Sequence, residues 1–401
     1  MHKPLKIVGL IPLFAGMLLL GSCEQIIPPA PAEEDLLDGP IAGLSTAEQA
    51  QFLAGDIAFN DEVFTVESGL GPLFVATSCG SCHIGDGKGH PFTTLVRFGQ
   101  TAPNTPPDHS IGGPQLQNRA IPGYVPERVP EGQPFMKITP PAVTGLGLLA
   151  ALTDQQILAH ADPDDLDGDG ISGVPNYVTP PDYFVPQWYH QPRQGKYLGR
   201  FGKKAAAIDL LQQTVGAYKQ DMGVNSTFEP LDVATGLPVD PEVSDQQVKE
   251  VVFYLRTLKA PIQRNANDAQ VLRGKKLFST IQCAACHIPE WTTPASDIAA
   301  LSHQTFYPYT DLLLHDMGPG LDDGVTEGSA ETYEWRTPPL WGLGLSPDAQ
   351  GGTYYLLHDG RARSIEEAIL LHGGEARASR EAYEGLSETD KTAVLRFLES
   401  L

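Results

Sequence analysis

The sequence predicts a mainly α-helical protein with two similar domains, the first of which is enlarged by long loops. This fold class rests on an internal repeat and on the composition. Two amphipathic segments, which begin at Ser244 and Ser387, align with each other at one constant offset along the chain of 401 residues. The chain also contains 41 glycines and 35 prolines, which indicates long structured loops instead of a simple helical bundle.

Each aligned segment has the pattern of an amphipathic helix with a capping residue at its start. Ser244 is followed three residues later by Gln247, and Ser387 is followed by Asp390. The apolar residues that come next recur with helical spacing on one face. They are Val248, Val251, Val252, Leu255 and Leu258 in the first segment, and Val394, Leu395, Phe397, Leu398 and Leu401 in the second. We therefore expect a closing helix at the end of each domain.

A Cys-x-x-Cys-His motif occurs once in each half of the chain. Two thiols at this spacing, followed at once by an imidazole, are the attachment site of a c-type haem. The thiols bind the porphyrin covalently, and the histidine becomes an axial ligand of the same iron. The predicted sites are Cys79, Cys82 and His83 for one haem c, and Cys283, Cys286 and His287 for a second. The alternative is a disulfide or a thioredoxin-like redox pair, but the two motifs together use four of the five cysteines and leave no ligands for zinc.

The order of elements is the same in the two halves. A capped helix precedes each motif, with Ser45 and Glu48 as the expected cap in one half and Asn267 and Gln270 in the other. The motif follows, and then the closing helix. This order is the plan of a cytochrome c domain, so we predict two cytochrome c-like domains.

The predicted domains span residues 44–258 and 265–401, with a linker between them. They differ in length after the motif, because the segment from His83 to Ser244 is much longer than the segment from His287 to Ser387. The first domain therefore contains a long insertion. Long insertions of this kind often have a functional role.

The beginning of the chain predicts export. Two lysines precede an apolar run at residues 7–20, and Cys23 follows directly after a leucine, a glycine and a serine. This pattern is typical of a bacterial lipoprotein signal over residues 1–22, with Cys23 as the lipidated residue. An ordinary signal peptide with an unrelated thiol is the alternative. Residues 23–43 are rich in proline and acidic side chains and predict a flexible tether. We expect the chain to be lipid-anchored on the periplasmic side of a bacterial membrane, without a membrane-spanning helix.

The charge limits the kind of partner. The net charge is −22, which argues against nucleic acid and favours a basic electron-donor protein or a cationic small-molecule substrate. The sequence contains no glycine-rich phosphate loop, nucleophile elbow or HExxH zinc motif, so hydrolase and nucleotide chemistry have no support.

His372 is a candidate ligand for the second haem. Ser364 and Glu367 predict a helix start, and apolar residues at 365, 368 and 369 place His372 at the end of the same face. A haem could lie against such a face. A surface histidine near a helix C-terminus, where the dipole favours its positive form, explains the pattern equally well.

Several stretches resemble one protein family. They are Leu312–Gly318, Glu334–Trp341, Leu357–Arg361 and Glu366–Glu375. Together they are similar to the di-haem oxidoreductase family of peroxidase-like proteins, also called thiol oxidoreductases. These are more distantly similar to the bacterial di-haem cytochrome c peroxidases. The resemblance implies that His372 is the distal axial ligand of the second haem, which would then be six-coordinate with two histidines. Met317 is the competing ligand.

The resemblance also implies where chemistry takes place. Electrons would pass from the C-terminal haem to the N-terminal haem, which would reduce a small oxidant such as hydrogen peroxide. The chain departs from its relatives at two points, with Ala150 and Ala151 where a glutamate is common, and Lys203 where a tryptophan is common. The catalytic residues are therefore unknown. Candidates for a distal ligand of the first haem are His90, His109, His160 and Met136.

A calcium site is predicted in the insertion. Asp165, Asp167 and Asp169 alternate and are followed by Gly170, as in the first half of an EF-hand loop. Asn176 stands at the twelfth position, where such loops usually have glutamate. A solvated acidic turn is the alternative.

Two other functions fit the same motifs. The chain could be a non-catalytic di-haem electron-transfer cytochrome, or a haem-containing surface protein that binds a partner without turnover. The state of the first haem distinguishes the enzyme from the first of these, because catalysis requires an open coordination position.

Overall fold

The computed structural model describes residues 31–401, and helices provide most of its regular structure. The predicted signal segment and Cys23 lie outside the described residues. The α-helices are Thr46–Asn60 (α1), Leu146–Ala150 (α2), Asp154–Leu158 (α3), Leu210–Met222 (α4), Asp245–Thr257 (α5), Ala269–Thr280 (α6), Ser346–Ala349 (α7), Ile365–Leu370 (α8), Arg377–Glu384 (α9) and Glu388–Ser400 (α10). Within these residues, no helix combines the length and the apolar content needed to cross a membrane.

The strands are short and form five separate antiparallel pairs. They are Leu73–Phe74 (β1), Leu95–Phe98 (β2), Arg119–Ala120 (β3), Phe135–Ile138 (β4), Tyr177–Val178 (β5), Tyr197–Leu198 (β6), Trp291–Thr292 (β7), Thr305–Phe306 (β8), Leu314–Asp316 (β9) and Glu334–Arg336 (β10). The pairs are β1 with β3, β2 with β4, β5 with β6, β7 with β8 and β9 with β10. Long loops join these elements, as the glycine and proline content predicts.

The predicted repeat is present as two equivalent helix pairs, α1 with α5 and α6 with α10. Each pair is in close contact at a glycine. A Cβ atom at Gly55 would lie 2.2 Å from the carbonyl oxygen of Glu250, and one at Gly274 would lie 1.9 Å from that of Ala393. Glu250 and Ala393 are related by the same offset that aligns Ser244 with Ser387. Both helices can therefore approach their partners only because the contact residue has no side chain.

Aromatic rings repeat in the same way around the two motif histidines. The Phe59 ring lies 5.4 Å from the ring of Tyr254, and the Phe278 ring lies 5.4 Å from that of Phe397. Phe59 also packs against His83, at 5.8 Å between ring centroids, and Phe278 packs against His287 at 6.2 Å. In both halves, one aromatic side chain thus joins the motif histidine to the closing helix.

The helix starts agree with the capping patterns, with one exception. Ser45 and Glu48 form a reciprocal capping box, and the side chains of Ser244, Ser364 and Ser387 each cap a helix. The start of α6 is different. Asp268 caps this helix by accepting hydrogen bonds from the backbone of residues 270 and 271, so the prediction of Asn267 was wrong by one residue. Asp268 is itself a good capping residue, and the sequence pattern did not distinguish the two.

The buried apolar residues form two large clusters that do not follow the chain order. The first includes residues of α1, α4 and α5, together with Trp291, Leu312 and Trp341 from the second half of the sequence. The second is built mainly from α6, α8 and α10. The segment between the second motif and β9 therefore packs on the first core. The two-domain boundaries remain a prediction.

The last part of the predicted tether is packed against the protein. The backbone N–H of Ile41 donates to the carbonyl of Thr257, and that of Lys259 donates to the carbonyl of Gly39. Leu36 and Leu37 are half-buried. The polar composition of residues 23–43 concealed these apolar side chains, which hold residues 36–41 along the end of α5.

Candidate functional site

The second motif lies directly after α6, on the wall of a large cavity. A short 3-10 turn, Cys283–Ala285, follows the helix, and the backbone N–H of His287 donates to the carbonyl of Cys283. This turn directs Cys283, Cys286 and His287 into the cavity, which His372 also lines. The space between the walls, including its open mouth, is about 1600 Å³.

Most of the cavity wall is apolar. The apolar side chains come from α6, the 338–343 loop, the 355–357 turn, α8 and α10, and they include Phe278, Leu340, Leu343, Leu356, Ile365 and Leu398. Such a wall provides dispersion contacts for the flat faces of a macrocycle. The apolar lining, the two thiols and the two histidines together fit a haem.

His287 and His372 are both oriented as metal ligands. The Nδ1 atom of His287 lies 2.9 Å from the carbonyl oxygen of Tyr309, and that of His372 lies 2.7 Å from the carbonyl oxygen of Ala368. Because a carbonyl only accepts hydrogen bonds, each Nδ1 must carry the proton. Each Nε2 then keeps a free lone pair, which is the arrangement that metal-binding histidines use.

Burial keeps both imidazoles neutral. It lowers the pKa of His287 to about 4, with a smaller contribution from the neighbouring His372. It also lowers the pKa of His372 below its usual value. Only neutral imidazole binds a metal ion. Of the two explanations that the sequence pattern left open for His372, the structure shows the side chain on the cavity wall and not on the outer surface.

A close backbone contact positions His372 after the end of α8. The next residues, Gly373 and Gly374, pack against the segment 316–318, and a Cβ atom at Gly374 would lie 2.1 Å from the carbonyl oxygen of Asp316. Gly374 also has a positive φ of 52°. Met317, the competing ligand, lines the same cavity, and its side chain packs with Met136 and Trp335.

The thiols do not resemble a reactive redox pair. Burial raises the pKa of Cys79 and of Cys283 to about 12, and that of Cys82 to about 11. Thiols that exchange disulfides have lowered pKa values, because the thiolate is the reactive form. Within the described residues, all four motif cysteines are free. These features disfavour the thioredoxin-like alternative at both motifs.

A buried ion cluster beside Cys286 was missed in the sequence. His315 Nε2 lies 2.7 Å from a carboxylate oxygen of Asp311, and its Nδ1 lies 2.8 Å from one of Glu375 and 3.5 Å from the Cys286 sulfur. Burial opposes a charge on His315, but Asp311 and its other partners raise the pKa of the imidazole well above its usual value. The i, i+4 spacing of Asp311 and His315 was the only local signal for this pair.

The first motif has the same backbone turn but a different environment. The backbone N–H groups of Cys82 and His83 both donate to the carbonyl of Cys79, as in the second motif. Burial lowers the pKa of His83 to about 4. Its Nδ1 approaches the carbonyl of Pro141 but has no partner within hydrogen-bonding geometry. None of the three motif residues lines the large cavity described above.

The four candidates for a distal ligand of the first haem make their contacts elsewhere. His90 packs against Tyr355, which lines the cavity of the second motif. Met136 is fully buried next to Trp335. His109 is exposed, and His160 packs against Trp291. Within the described residues, no side-chain hydrogen bond or aromatic ring contact joins any of them to His83, whose ring packs against Phe59.

A buried carboxyl group lies next to the first motif. The backbone N–H of Asp86 donates to the carbonyl of His83, and its carboxylate accepts a hydrogen bond of 2.6 Å from the hydroxyl of Tyr254. Burial raises the pKa of Asp86 to about 6. The equivalent of Tyr254 in the second half is Phe397, which has no hydroxyl, so this pair belongs to the first half alone.

The carboxylates that come together in the acidic loop of the insertion are not the three that the sequence predicted. Carboxylate oxygens of Asp162, Asp165 and Asp167 lie within 4.8 Å of one another. Asp169 is not part of this group and accepts from the backbone N–H of residue 171 instead. Asn176 is buried and donates to the carbonyls of residues 204 and 327, so it does not close the loop. Calcium binding stays a prediction.

One of three comparisons with known proteins, a family model, agrees with the haem-binding features. Residues 135–401 match a family model described as "Di-haem oxidoreductase, putative peroxidase". None of the curated proteins matches the chain. Among solved structures, a chain of hydrazine synthase from Kuenenia stuttgartiensis, pressurized with 20 bar xenon, is 15% identical. The alignment covers 100% of both chains, with a TM-score of 0.40.

Proposed function

The chain belongs to the di-haem oxidoreductase family, and from this premise we propose that it is an exported di-haem c-type oxidoreductase with peroxidase-like activity. In this proposal, each Cys-x-x-Cys-His motif holds one haem covalently. The C-terminal haem accepts electrons and passes them to the N-terminal haem, which reduces a small oxidant such as hydrogen peroxide. The two haems belong to two cytochrome c-like domains.

The second site is proposed to hold a six-coordinate haem. Cys283 and Cys286 bind the porphyrin, and His287 and His372 are the two axial ligands. A haem iron with two imidazole ligands stores and releases one electron without binding a further ligand. The chain itself excludes water with an apolar wall and holds both Nδ1 protons on backbone carbonyls, which keeps each Nε2 available.

The first site is proposed to be the place of oxidant reduction. Cys79, Cys82 and His83 attach the haem there. The candidates for a sixth ligand have other contacts, which favours an open position on the face opposite His83. Ala150 and Ala151 have no ionisable side chain, so they supply no proton donor. The proton donor for peroxide cleavage is not assigned.

The proposed electron donor and location of the enzyme rest on its net charge and on the pattern at its N-terminus. A basic electron-donor protein, or a small-molecule substrate, suits a chain with a net charge of −22. Lipidation at Cys23 would keep the protein on the periplasmic side of a bacterial membrane, where electron-donor proteins are available. Nucleic acid is not part of the proposal.

The single observation that supports the proposal most strongly is the pair of histidines in the cavity of the second motif. His287 and His372 both line it, both are neutral, and both present a free Nε2 beside two thiols at haem-attachment spacing. A structural histidine would usually donate or accept with both nitrogens. Two such imidazoles on one cavity fit the two axial positions of one iron.

Haem counting and electron paramagnetic resonance of the mature, oxidised protein test the proposal. We expect two covalently bound haems per chain, one with a low-spin ferric signal and one with a high-spin signal. Turnover of hydrogen peroxide with a reduced cytochrome as donor should accompany the high-spin signal. Two low-spin haems without turnover would instead identify an electron-transfer cytochrome. A high-spin haem without turnover would favour the surface-binding alternative.

A further inference from the structure

Three cationic side chains line the cavity of the second motif and form no ion pair with a carboxylate of the described residues. They are Lys88, Lys203 and Arg336. Lys203 makes one long hydrogen bond of 3.4 Å to the hydroxyl of Thr139. Arg336 donates from Nε and Nη1 to the carbonyls of residues 202 and 337, which leaves Nη2 free of those contacts. Within residues 31–401, no ion pair joins any of the three to a carboxylate.

This arrangement is unfavourable without a bound anion. Burial, followed by the positive charges of Lys88 and Arg336, lowers the pKa of Lys203 to about 7. Burial lowers the pKa of Lys88 to about 8 and that of Arg336 to about 10. Cations that are removed from water need a paired charge or several hydrogen bonds. Three buried cations without an ion pair, of which Lys203 is destabilised by the charges of the other two, therefore indicate that an anionic group belongs among them.

The neighbouring Lys204 shows how this chain stabilises a buried lysine when no ligand is needed. Its ammonium group donates to the carbonyls of Glu331, Thr332 and Glu334, and it lies 4.0 Å from the ring of Trp335. All three hydrogens of the ammonium group thus have partners within the chain. Lys203, one residue earlier, has no comparable set.

The chemistry of haem identifies the missing anion. Haem has two propionate carboxylates, and they lie on the edge of the macrocycle opposite the two vinyl groups. Attachment of the vinyl groups to Cys283 and Cys286 therefore turns the propionates toward the far side of the cavity. The Cys286 sulfur lies 3.5 Å from His315 Nδ1, whereas the Lys203 ammonium group lies 3.4 Å from the hydroxyl of Thr139. The Cys286 thiol and Lys203 thus contact different parts of the wall. Arg336 and Cys286 have Asp311 as a common charged neighbour.

We propose that Lys88, Lys203 and Arg336 bind the two propionates of the haem attached at Cys283 and Cys286, and that they raise its reduction potential. The inference rests on the proposed function, because it requires a haem in this cavity. Charge-assisted hydrogen bonds from lysine and arginine to carboxylates are strong in a partly buried site. Reduction removes one positive charge from the iron, so nearby cations favour the reduced state.

The test measures reduction potentials of the mature protein with both haems attached. Lys203→Gln and Lys88→Gln should each lower the potential of the low-spin haem. We expect at least a tenfold change in its reduction equilibrium, which is about 59 mV for one electron. The high-spin haem should keep its potential. Lys203→Arg retains the charge and should stay close to the wild type. Lys249→Gln removes an exposed lysine on α5 and controls for the change in net charge.

The outcomes separate this inference from the proposed function. If the low-spin haem is present and its potential is unchanged in both glutamine variants, the propionate assignment is overturned while the di-haem function stands. If both haems shift equally, the cations do not belong to the second haem in particular, and the assignment is also wrong. If mass spectrometry finds no haem at Cys283 and Cys286 in the wild type, both proposals fail. Should one variant not mature, the other and Lys203→Arg still decide.

Discussion

The two halves of the molecule hold their motif histidines with the same scaffold. In both, a glycine allows close packing of the first and closing helices: Gly55 in one half and Gly274 in the other. In both, a phenylalanine one helical turn later packs against the closing helix and the motif histidine. The repeat therefore preserves the contacts that position one axial ligand.

The halves differ in the other contacts of the motif histidine. His287 is oriented by a hydrogen bond to a carbonyl and lies on a cavity with His372. His83 has no such hydrogen bond, and a buried Asp86–Tyr254 pair lies next to it. The helices thus hold the two motif histidines in a common way, while the loops between the helices give each histidine different neighbours.

The largest effect is expected from removing the thiols of one motif at a time. Cys283→Ala combined with Cys286→Ala should leave one haem per chain, and so should Cys79→Ala combined with Cys82→Ala. Haem is attached only where both thiols are present for the vinyl groups. The alkaline pyridine haem spectrum and the intact mass give the number of haems. Two haems in either variant would show that the halves are not equivalent attachment sites.

Replacing His372 should make the second site resemble the first. In His372→Ala, the ferric haem attached at Cys283 and Cys286 should change from low spin to high spin, because one strong-field ligand is lost. Met317→Leu should leave the low-spin signal unchanged. Electron paramagnetic resonance of the oxidised variants measures both. A loss of the low-spin signal in Met317→Leu alone would identify the methionine as the ligand.

Adding a methyl group at the two helix contacts should destabilise both halves by similar amounts. Gly55→Ala and Gly274→Ala place a Cβ atom within 2.2 Å and 1.9 Å of a backbone carbonyl oxygen. Such overpacking costs about 1–3 kcal/mol. Gly216→Ala, in α4, has open space at the same atom and should stabilise the protein by about 0.5–1 kcal/mol. Thermal unfolding of the three variants measures the difference. Unequal losses at Gly55 and Gly274 would weaken the equivalence of the helix pairs.

Tyr254→Phe should remove a feature that only the first half has. It leaves the buried Asp86 carboxyl without its 2.6 Å hydrogen bond, at a cost of about 1–3 kcal/mol. Burial raises the pKa of Asp86 to about 6 in the folded protein, against 3.8 in the unfolded chain. The protonated Asp86 side chain therefore contributes fully to stability below pH 3.8, and this contribution is lost as the pH rises through 6.

Melting temperatures at several pH values between these limits test this assignment. Asp86→Asn should flatten the pH dependence over that range, because the titrating group is removed. Tyr254→Phe should make the loss at neutral pH larger, since the hydroxyl stabilises the carboxylate. An unchanged pH profile in Asp86→Asn would show that another group titrates.

The smallest effect is expected from calcium at the acidic loop, which has no counterpart in the second half. If calcium binds, a concentration equal to its dissociation constant stabilises the protein by about 0.4 kcal/mol. Asp162→Asn should abolish the rise in melting temperature, because this residue belongs to the carboxylate group, whereas Asp169→Asn should not. A melting temperature that does not respond to calcium would leave the loop as a solvated acidic turn.

Much of the scaffold could be predicted because its signals are local. Capping residues and helical spacing located α5, α8 and α10, and the Cys-x-x-Cys-His motifs predicted two attachment sites. The cavity-facing position of His372 was one of the two explanations that its local pattern offered, since its place on an apolar helix face depends only on nearby residues. The constant offset between the two closing helices predicted a repeat that the glycine and aromatic contacts reproduce.

The rest depends on contacts between residues far apart in the chain. The cavity wall combines Lys88 and Lys203 with Arg336 and His372, and no sequence pattern joins these positions. The same holds for the His315 cluster, whose partner Glu375 comes from beyond α8. Sequence spacing could therefore identify the candidate attachment residues, the helices beside them and His372 as a candidate ligand. Only tertiary packing determined that Lys88, Lys203 and Arg336 line the same cavity as these residues, because burial and ion pairing depend on distance in space.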